Sequence, residues 1–142
     1  MTTRPTAELR RQVVERASNC CEYCLLHQDL AASTHQVDHV IAEKHRGQTS
    51  LDNLALSCTV CNRRKGSDIG SIDPQTGHLV SLFNPRTQQW VDHLRLDGVH
   101  IVGLTEVGRA TVEFLQLNAC ERLIERDALI RASLYPPQRT AG

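Results

Sequence analysis

The sequence predicts an α+β fold, with a metal-stapled hairpin and helix first, then a small antiparallel sheet and C-terminal helices. Three observations carry that expectation. Two Cys-x-x-Cys pairs, Cys21/Cys24 and Cys58/Cys61, stand 33 residues apart, enough chain to hold a hairpin. Asp97-Gly98 separates two short strand-like runs, 89–96 and 99–104, and is a good hairpin turn. Apolar residues return to helical spacing only towards the C-terminus.

The elements follow in order. Residues 6–18 read as a helix, because Leu9, Val13 and Ala17 recur every four residues and Thr6 can cap the start. Asn19 stops it, and the segment from Cys20 to Leu26 is a tight turn holding the first cysteine pair. Residues 35–41 (His-Gln-Val-Asp-His-Val-Ile) look like a strand, 43–50 suits a charged loop around Gly47, and 51–56 leads back to the second pair. A helix is expected from about Val60 through the basic run that follows. Asp73-Pro74-Gln75-Thr76-Gly77 is a strong turn signal. It precedes strand-like runs at 78–83, 89–96 and 99–104. Helices are expected at about 106–117 and 119–134, the second carrying Leu123, Ile124, Leu129 and Ile130, with Pro136-Pro137 ending it.

With 142 residues, one domain over 1–142 is expected, its core at about 18–70 and a β/α extension at about 71–135. Only 4% of residues are aromatic, and a core that small benefits from a metal staple. No apolar stretch approaches the ~18 residues of a membrane span, and the polar N-terminus lacks a secretory pattern. A soluble, cytoplasmic protein is therefore expected, where six cysteines favour metal ligation over disulfides. Formal net charge is zero. Residues 1–66 hold nine Lys/Arg against seven Asp/Glu, and 67–142 hold seven against nine. No global field steers nucleic acid to such a chain, so any contact must come from local clusters.

Cys21, Cys24, Cys58 and Cys61 can complete a tetrahedral zinc shell. Four thiolates leave no open position, so this zinc is expected to be structural, adding on the order of 10–16 kcal/mol of apparent binding free energy to folding. Cys20 is an alternative to Cys21, although only Cys21 gives the two-residue spacing. Cys120, alone in a late helix, is expected in the core.

Between the pairs lies Asp38-His39. A carboxylate is a hard ligand suited to a magnesium-like ion, and a neutral imidazole can accept a proton from water attacking phosphorus. In a flat strand these neighbours point to opposite faces, so a bulge or a strand end is needed for them to serve one site.

The stretch from Cys21 to Gly66 resembles the HNH endonuclease family in its four-cysteine, HNN-type form. The resemblance rests on Cys-Glu-Tyr-Cys, Val-Asp-His-Val-Ile, Leu-Asp-Asn-Leu and Cys-Thr-Val-Cys-Asn-Arg-Arg-Lys-Gly, which together cover about a third of the chain. It implies a ββα-metal core and a metal-dependent DNA endonuclease. His39 would be the general base. Asp38 and Asn62 would bind the catalytic ion, Mg²⁺ or Mn²⁺, and Asn53 would tie the hairpin loop to the strand carrying His39. Cleavage would leave 5′-phosphate and 3′-hydroxyl ends. Asn62 has a plainer reading as a helix-start cap, and Asn53 as a turn residue.

Arg63-Arg64-Lys65 is a basic run beside this site, and at least one of the three is expected to touch backbone phosphate, which positions a duplex without reading sequence. His35, Lys44, His45, Arg46 and Arg86 are weaker candidates for DNA contact. Phe83-Asn84-Pro85-Arg86 and Trp90-x-x-His93 resemble a segment that follows the core in one bacterial subgroup of the family, and Phe83 and Trp90 are expected to form the aromatic core of the small sheet. The alternative to an enzyme is a catalytically inactive, zinc-stabilised nucleic-acid-binding module. A third reading is a protein–protein adaptor stapled by the cysteines.

Overall fold

The computed structural model describes residues 3–137. The chain divides into two compact units, the residues up to Asp68 forming most of the first and Ile69–Pro136 the second.

In the first unit, helix α1 (Ala7–Arg16) starts at Thr6, whose side chain accepts the Leu9 N–H at 3.2 Å. It stops where Ser18 and Asn19 both take positive φ, 53° and 63°. Val13 and Ala17 bury against Leu54 and Leu56, with Leu9, Val14 and Val37 around them. This is the α1 face that the four-residue repeat anticipates. Strands β1 (Gln36–His39) and β2 (Leu54–Ser57) form an antiparallel pair in which Gln36 faces Ser57 and His39 faces Leu54. Helix α2 (Thr59–Lys65) follows β2 directly. Arg16 clamps α1 onto the hairpin by donating to the carbonyls of Leu51 at 2.7 Å and Leu54 at 2.6 Å.

The second unit holds two further hairpins and three helices. Strand β3 (Gly70–Ile72) pairs with β4 (Leu79–Ser81) across the Asp73–Gly77 turn. The turn is locked by the Asp73 carboxylate, which accepts the Gln75 N–H and the Thr76 hydroxyl and receives two bonds from Arg109, at 3.0 and 2.8 Å. Helix α3 (Trp90–His93) leads into β5 (Leu94–Asp97), which pairs with β6 (His100–Gly103). Gly98, at φ 59°, makes that hairpin's tight turn. Helices α4 (Glu106–Phe114) and α5 (Cys120–Arg131) complete the unit. A Cβ on Gly108 would stand 1.9 Å from the His93 carbonyl oxygen, so α4 reaches its place only with glycine there.

The structure corrects several sequence expectations in this half. The 89–96 run is a strand only from Leu94, because its first part coils into α3, and β3 is a strand the sequence reading missed. Cys120 is exposed at the start of α5. Helix α5 turns inward not its leucines but Arg122 and Arg126; Arg126 donates to the carbonyls of Val99 and Leu117 at 2.7 and 2.9 Å, and Ile124 is 66% exposed. Phe83 is buried as expected, whereas Trp90 is half-buried. Among the described residues, no helix is long and apolar enough to cross a membrane.

Candidate active site

The four sulfurs of Cys21, Cys24, Cys58 and Cys61 lie within 4.8 Å of one another, all buried. The Cys24–Cys58 separation is 3.7 Å. A regular tetrahedron with zinc–sulfur bonds of ~2.3 Å has edges of about 3.8 Å, so the cluster has the size of a zinc site. Each pair forms a knuckle whose first sulfur accepts the N–H of the second cysteine, Cys24 to Cys21 at 3.5 Å and Cys61 to Cys58 at 3.4 Å. Burial pushes the Cys21 thiol well above its ordinary value, and a dication at the centre is what would hold such a group as a thiolate. Cys20 is buried outside the cluster with its sulfur on the Ser18 carbonyl, which leaves Cys21 as the ligand.

The knot is joined to the hairpin at two points. Glu22, inside the first knuckle, donates its N–H to the Leu56 carbonyl at 2.9 Å and accepts the Leu56 N–H on its carboxylate at 2.8 Å. Cys58 is at once a cluster member and the N-cap of α2. The cysteine cluster therefore sets where α2 begins relative to β2.

Helix α2 brings Asn62 and Lys65 to Asp38. The Asn62 amide sits against both the Gln36 amide and the Asp38 carboxylate. With its nitrogen towards the acid, it donates to Oδ1 at 3.1 Å and Oδ2 at 3.3 Å. Turned about, the same amide would place its oxygen there. Neighbouring ligands on an octahedral ion with ~2.1 Å bonds stand about 3.0 Å apart, so these two side chains have a spacing one magnesium-sized ion can bridge. Lys65 is only 2% exposed; its ammonium lies 3.4 Å from Asp38 Oδ2 and 3.3 Å from the His39 carbonyl oxygen. Burial pushes the Asp38 carboxyl above its ordinary value, with the Lys65 ammonium pulling the other way.

His39 is the last residue of β1, and the register through 36–39 is regular. No bulge interrupts β1, so Asp38 and His39 keep different partners, Asp38 meeting Lys65 on α2 and His39 meeting Thr49 in the loop that follows the strand. The His39 ring is buried, with Nε2 2.8 Å from the Thr49 hydroxyl and 3.9 Å from Glu43 Oε1. Glu43 is bound in turn by the N–H and hydroxyl of Thr3.

Asn53 closes the 41–53 loop on itself. Its Oδ1 accepts the Ile41 N–H at 3.0 Å, and its Nδ2 donates to the carbonyls of Ile41 and Gln48, both at 2.9 Å. The Val40 N–H reaches the Asn53 carbonyl at 2.8 Å. The loop is packed so closely that a Cβ on Gly47 would stand 1.6 Å from the Ile41 carbonyl oxygen.

The basic run divides by helical position. Arg63 is exposed, Arg64 is half-buried and its Nε has no hydrogen-bond partner among the described residues, and Lys65 is buried on Asp38. His35 is buried, donating from Nε2 to the Leu26 carbonyl at 2.7 Å, whereas Lys44, His45 and Arg46 are exposed. Glu22, Gln36, Thr49 and the inward role of Lys65 escaped the sequence reading. For Lys65 a signal existed: it lies four residues after Cys61, on the same helix face.

Residues 21–68, which hold the hairpin, the following helix and the cysteine cluster, match the family model described as HNH endonuclease. One curated relative is "Septu protein PtuB" of Bacillus thuringiensis, 25% identical over 124 residues that cover 86% of this chain. The chain spans 46% of that relative's length. No solved structure matches the chain.

Proposed function

We propose that the protein is a metal-dependent endonuclease that hydrolyses phosphodiester bonds of DNA at the end of β1. The observation that carries this reading is the meeting of Asp38 and Asn62 beside the strand-end His39, on elements fixed by the cysteine cluster. Asp38 and Asn62 hold a divalent ion, magnesium or manganese, which when bound supplies positive charge to the phosphoryl and leaving oxygens. His39 takes the proton from the attacking water, and the Thr49 hydroxyl on Nε2 holds the ring in one orientation. Asn53 keeps the loop after β1 closed, so that the strand end carrying His39 is presented in a fixed position. Lys65 anchors Asp38 from behind, and Arg63 with Arg64 contacts backbone phosphates. The products carry 5′-phosphate and 3′-hydroxyl ends. Six free cysteines suit a reducing compartment, and the cytoplasm is the location this reading assigns.

The test is cleavage of supercoiled plasmid and of short duplex or branched DNA, with magnesium or manganese and with chelator controls. His39→Ala is expected to lower cleavage at least ~10²-fold while the zinc content and the far-ultraviolet spectrum stay as in the parent. Equal cleavage by the variant removes His39 from the mechanism. Measurable DNA binding with no cleavage of any substrate favours the inactive binding module instead.

A further inference from the structure

A cavity of about 490 Å³ opens beside β1 and includes His39 in its wall. Gln36, Val37 and His39 of β1 line it together with Arg4, Ala7 and Arg10 from the start of the chain. Among the described residues, no acidic side chain lines it. Glu43, whose Oε1 lies 3.9 Å from His39 Nε2, has its two oxygens taken up by the N–H and hydroxyl of Thr3. Glu8, in the first turn of α1, is paired with Arg11 on the exposed face. Arg10 is held in place by one bond, from Nη2 to the His35 carbonyl at 2.9 Å, and its planar fork has further N–H groups to offer. Arg4 is exposed and forms no ion pair among the described residues. In a chain of zero formal charge, two guanidinium groups around a cavity shared with an imidazole are a local concentration of positive charge.

We infer that this cavity is a phosphate subsite, in which Arg4 and Arg10 grip a phosphodiester group of the nucleic-acid strand next to the one that is cut. The inference rests on the endonuclease reading and deepens it. Asp38 meets α2, the helix that carries Arg63 and Arg64, and His39 lines this cavity. A strand crossing the end of β1 then meets basic groups on both flanks of the scissile bond. Guanidinium groups suit the task because their fork geometry matches phosphate oxygens and their charge does not titrate in the working range. A contact to an uncut phosphate is made equally in the ground and transition states. It therefore lowers the dissociation constant and KM without raising kcat.

The experiment uses the full chain with zinc bound. Affinity for a fluorescein-labelled duplex is measured by anisotropy in the His39→Ala background across a salt series, for the parent, Arg4→Ala, Arg10→Ala and Arg10→Lys. Cleavage kinetics are measured for the same arginine variants with His39 intact. Each alanine is expected to weaken binding roughly 5- to 10-fold and to reduce the salt slope by about one, with kcat at saturating DNA unchanged within about threefold. Arg10→Lys, which keeps the charge, should lose less. Arg4→Ala guards against misfolding, because Arg4 is exposed whereas Arg10 also braces His35. If the parent cuts DNA while both alanine variants keep its affinity and salt slope, the subsite is wrong and the endonuclease reading stands. A loss confined to kcat overturns it too, by placing the arginines on the reacting group. A parent that neither binds nor cuts DNA overturns both.

Discussion

Replacing Asn53 by alanine tests whether one amide holds the loop beside the proposed general base. The side chain makes three hydrogen bonds, all to backbone groups of the loop it closes. Those to the Ile41 N–H and carbonyl are partly buried, at 3.0 and 2.9 Å, and each should contribute about 1 kcal/mol. The exposed bond to the Gln48 carbonyl adds a few tenths. Asn53→Ala should therefore cost about 2 kcal/mol in urea unfolding. Relaxation cannot recover much of it, because Gly47 lies so close to the Ile41 carbonyl that the loop has no room to collapse inward. Asn53→Asp keeps one acceptor, loses both donors and sets a carboxylate against two carbonyls, so it should be no better. Hydrogen exchange localises the effect, since the Ile41 amide should lose protection in both variants. Two residues before Ile41 stands His39, so cleavage should fall roughly 10–100-fold as the strand end loses its fixed position, with DNA affinity little changed. A variant within about 0.5 kcal/mol of wild type, with Ile41 still protected, would refute this account of Asn53.

Further outcomes are expected for the metal and for pH. The protein should bind one zinc per chain; Cys→Ser changes at 21, 24, 58 or 61 should abolish it, and changes at Cys20 or Cys120 should not. Because structural zinc supplies on the order of 10–16 kcal/mol and whole domains are stable by only ~5–15, a chelator strong enough to strip it should unfold the first unit, seen as lost helical ellipticity. Cobalt in its place should give the intense thiolate charge-transfer band of a four-sulfur site. In the second unit, the Arg109 guanidinium beside Asp73, with the Gln75 N–H and the Thr76 hydroxyl, holds its carboxyl well below the usual range. Its folded value lies under its unfolded one, so its contribution is complete above the unfolded value of about 3.9 and is lost as pH falls below it. Trp90, the chain's only tryptophan, reports this unit. Its unfolding midpoint should drop between about pH 4 and pH 2 in the wild type, and less in Asp73→Asn.

Much of the first unit was legible because its signals are local or periodic. Thr6 and the four-residue repeat gave α1, and the cysteine spacing gave both knuckles. The alternation at Asp38-His39 persists in the structure, where no bulge interrupts β1 and the two side chains meet different partners, Lys65 and Thr49. What the sequence concealed depends on tertiary placement. Nothing in Glu22 says that its carboxylate will take the Leu56 N–H from across the hairpin. Lys65 reads as part of a charge run with Arg63 and Arg64, although its position four residues after Cys61 puts it on the inward face. In α5 the hydrophobic pattern pointed to Leu123 and Ile124, but Arg126 won the interior by satisfying two carbonyls. Likewise residues 90–93 coil into α3 where a strand is expected, and the ladder with β6 begins only at the His93 carbonyl, which accepts the Leu104 N–H.

The cysteine cluster and the candidate catalytic residues are coupled through one short segment. Cys58 caps α2, and its carbonyl accepts the Asn62 N–H at 2.9 Å in the helix's first turn. Asn62 is therefore one helical turn from a zinc ligand, and Lys65 is one turn from Cys61. On the other side, Glu22 binds Leu56, which stands opposite Val37 in the hairpin, one residue before Asp38. Both routes reach the carboxylate of Asp38 through rigid backbone. A seven-residue helix could not hold its register on propensity alone, since isolated helices below ~12–15 residues are marginal in water. The sulfur cluster supplies that missing rigidity. With zinc bound, a small shift of the α2 start at Cys58 should reach Asn62 and Asp38 before His39, whose ring rests on Thr49 in the 41–53 loop.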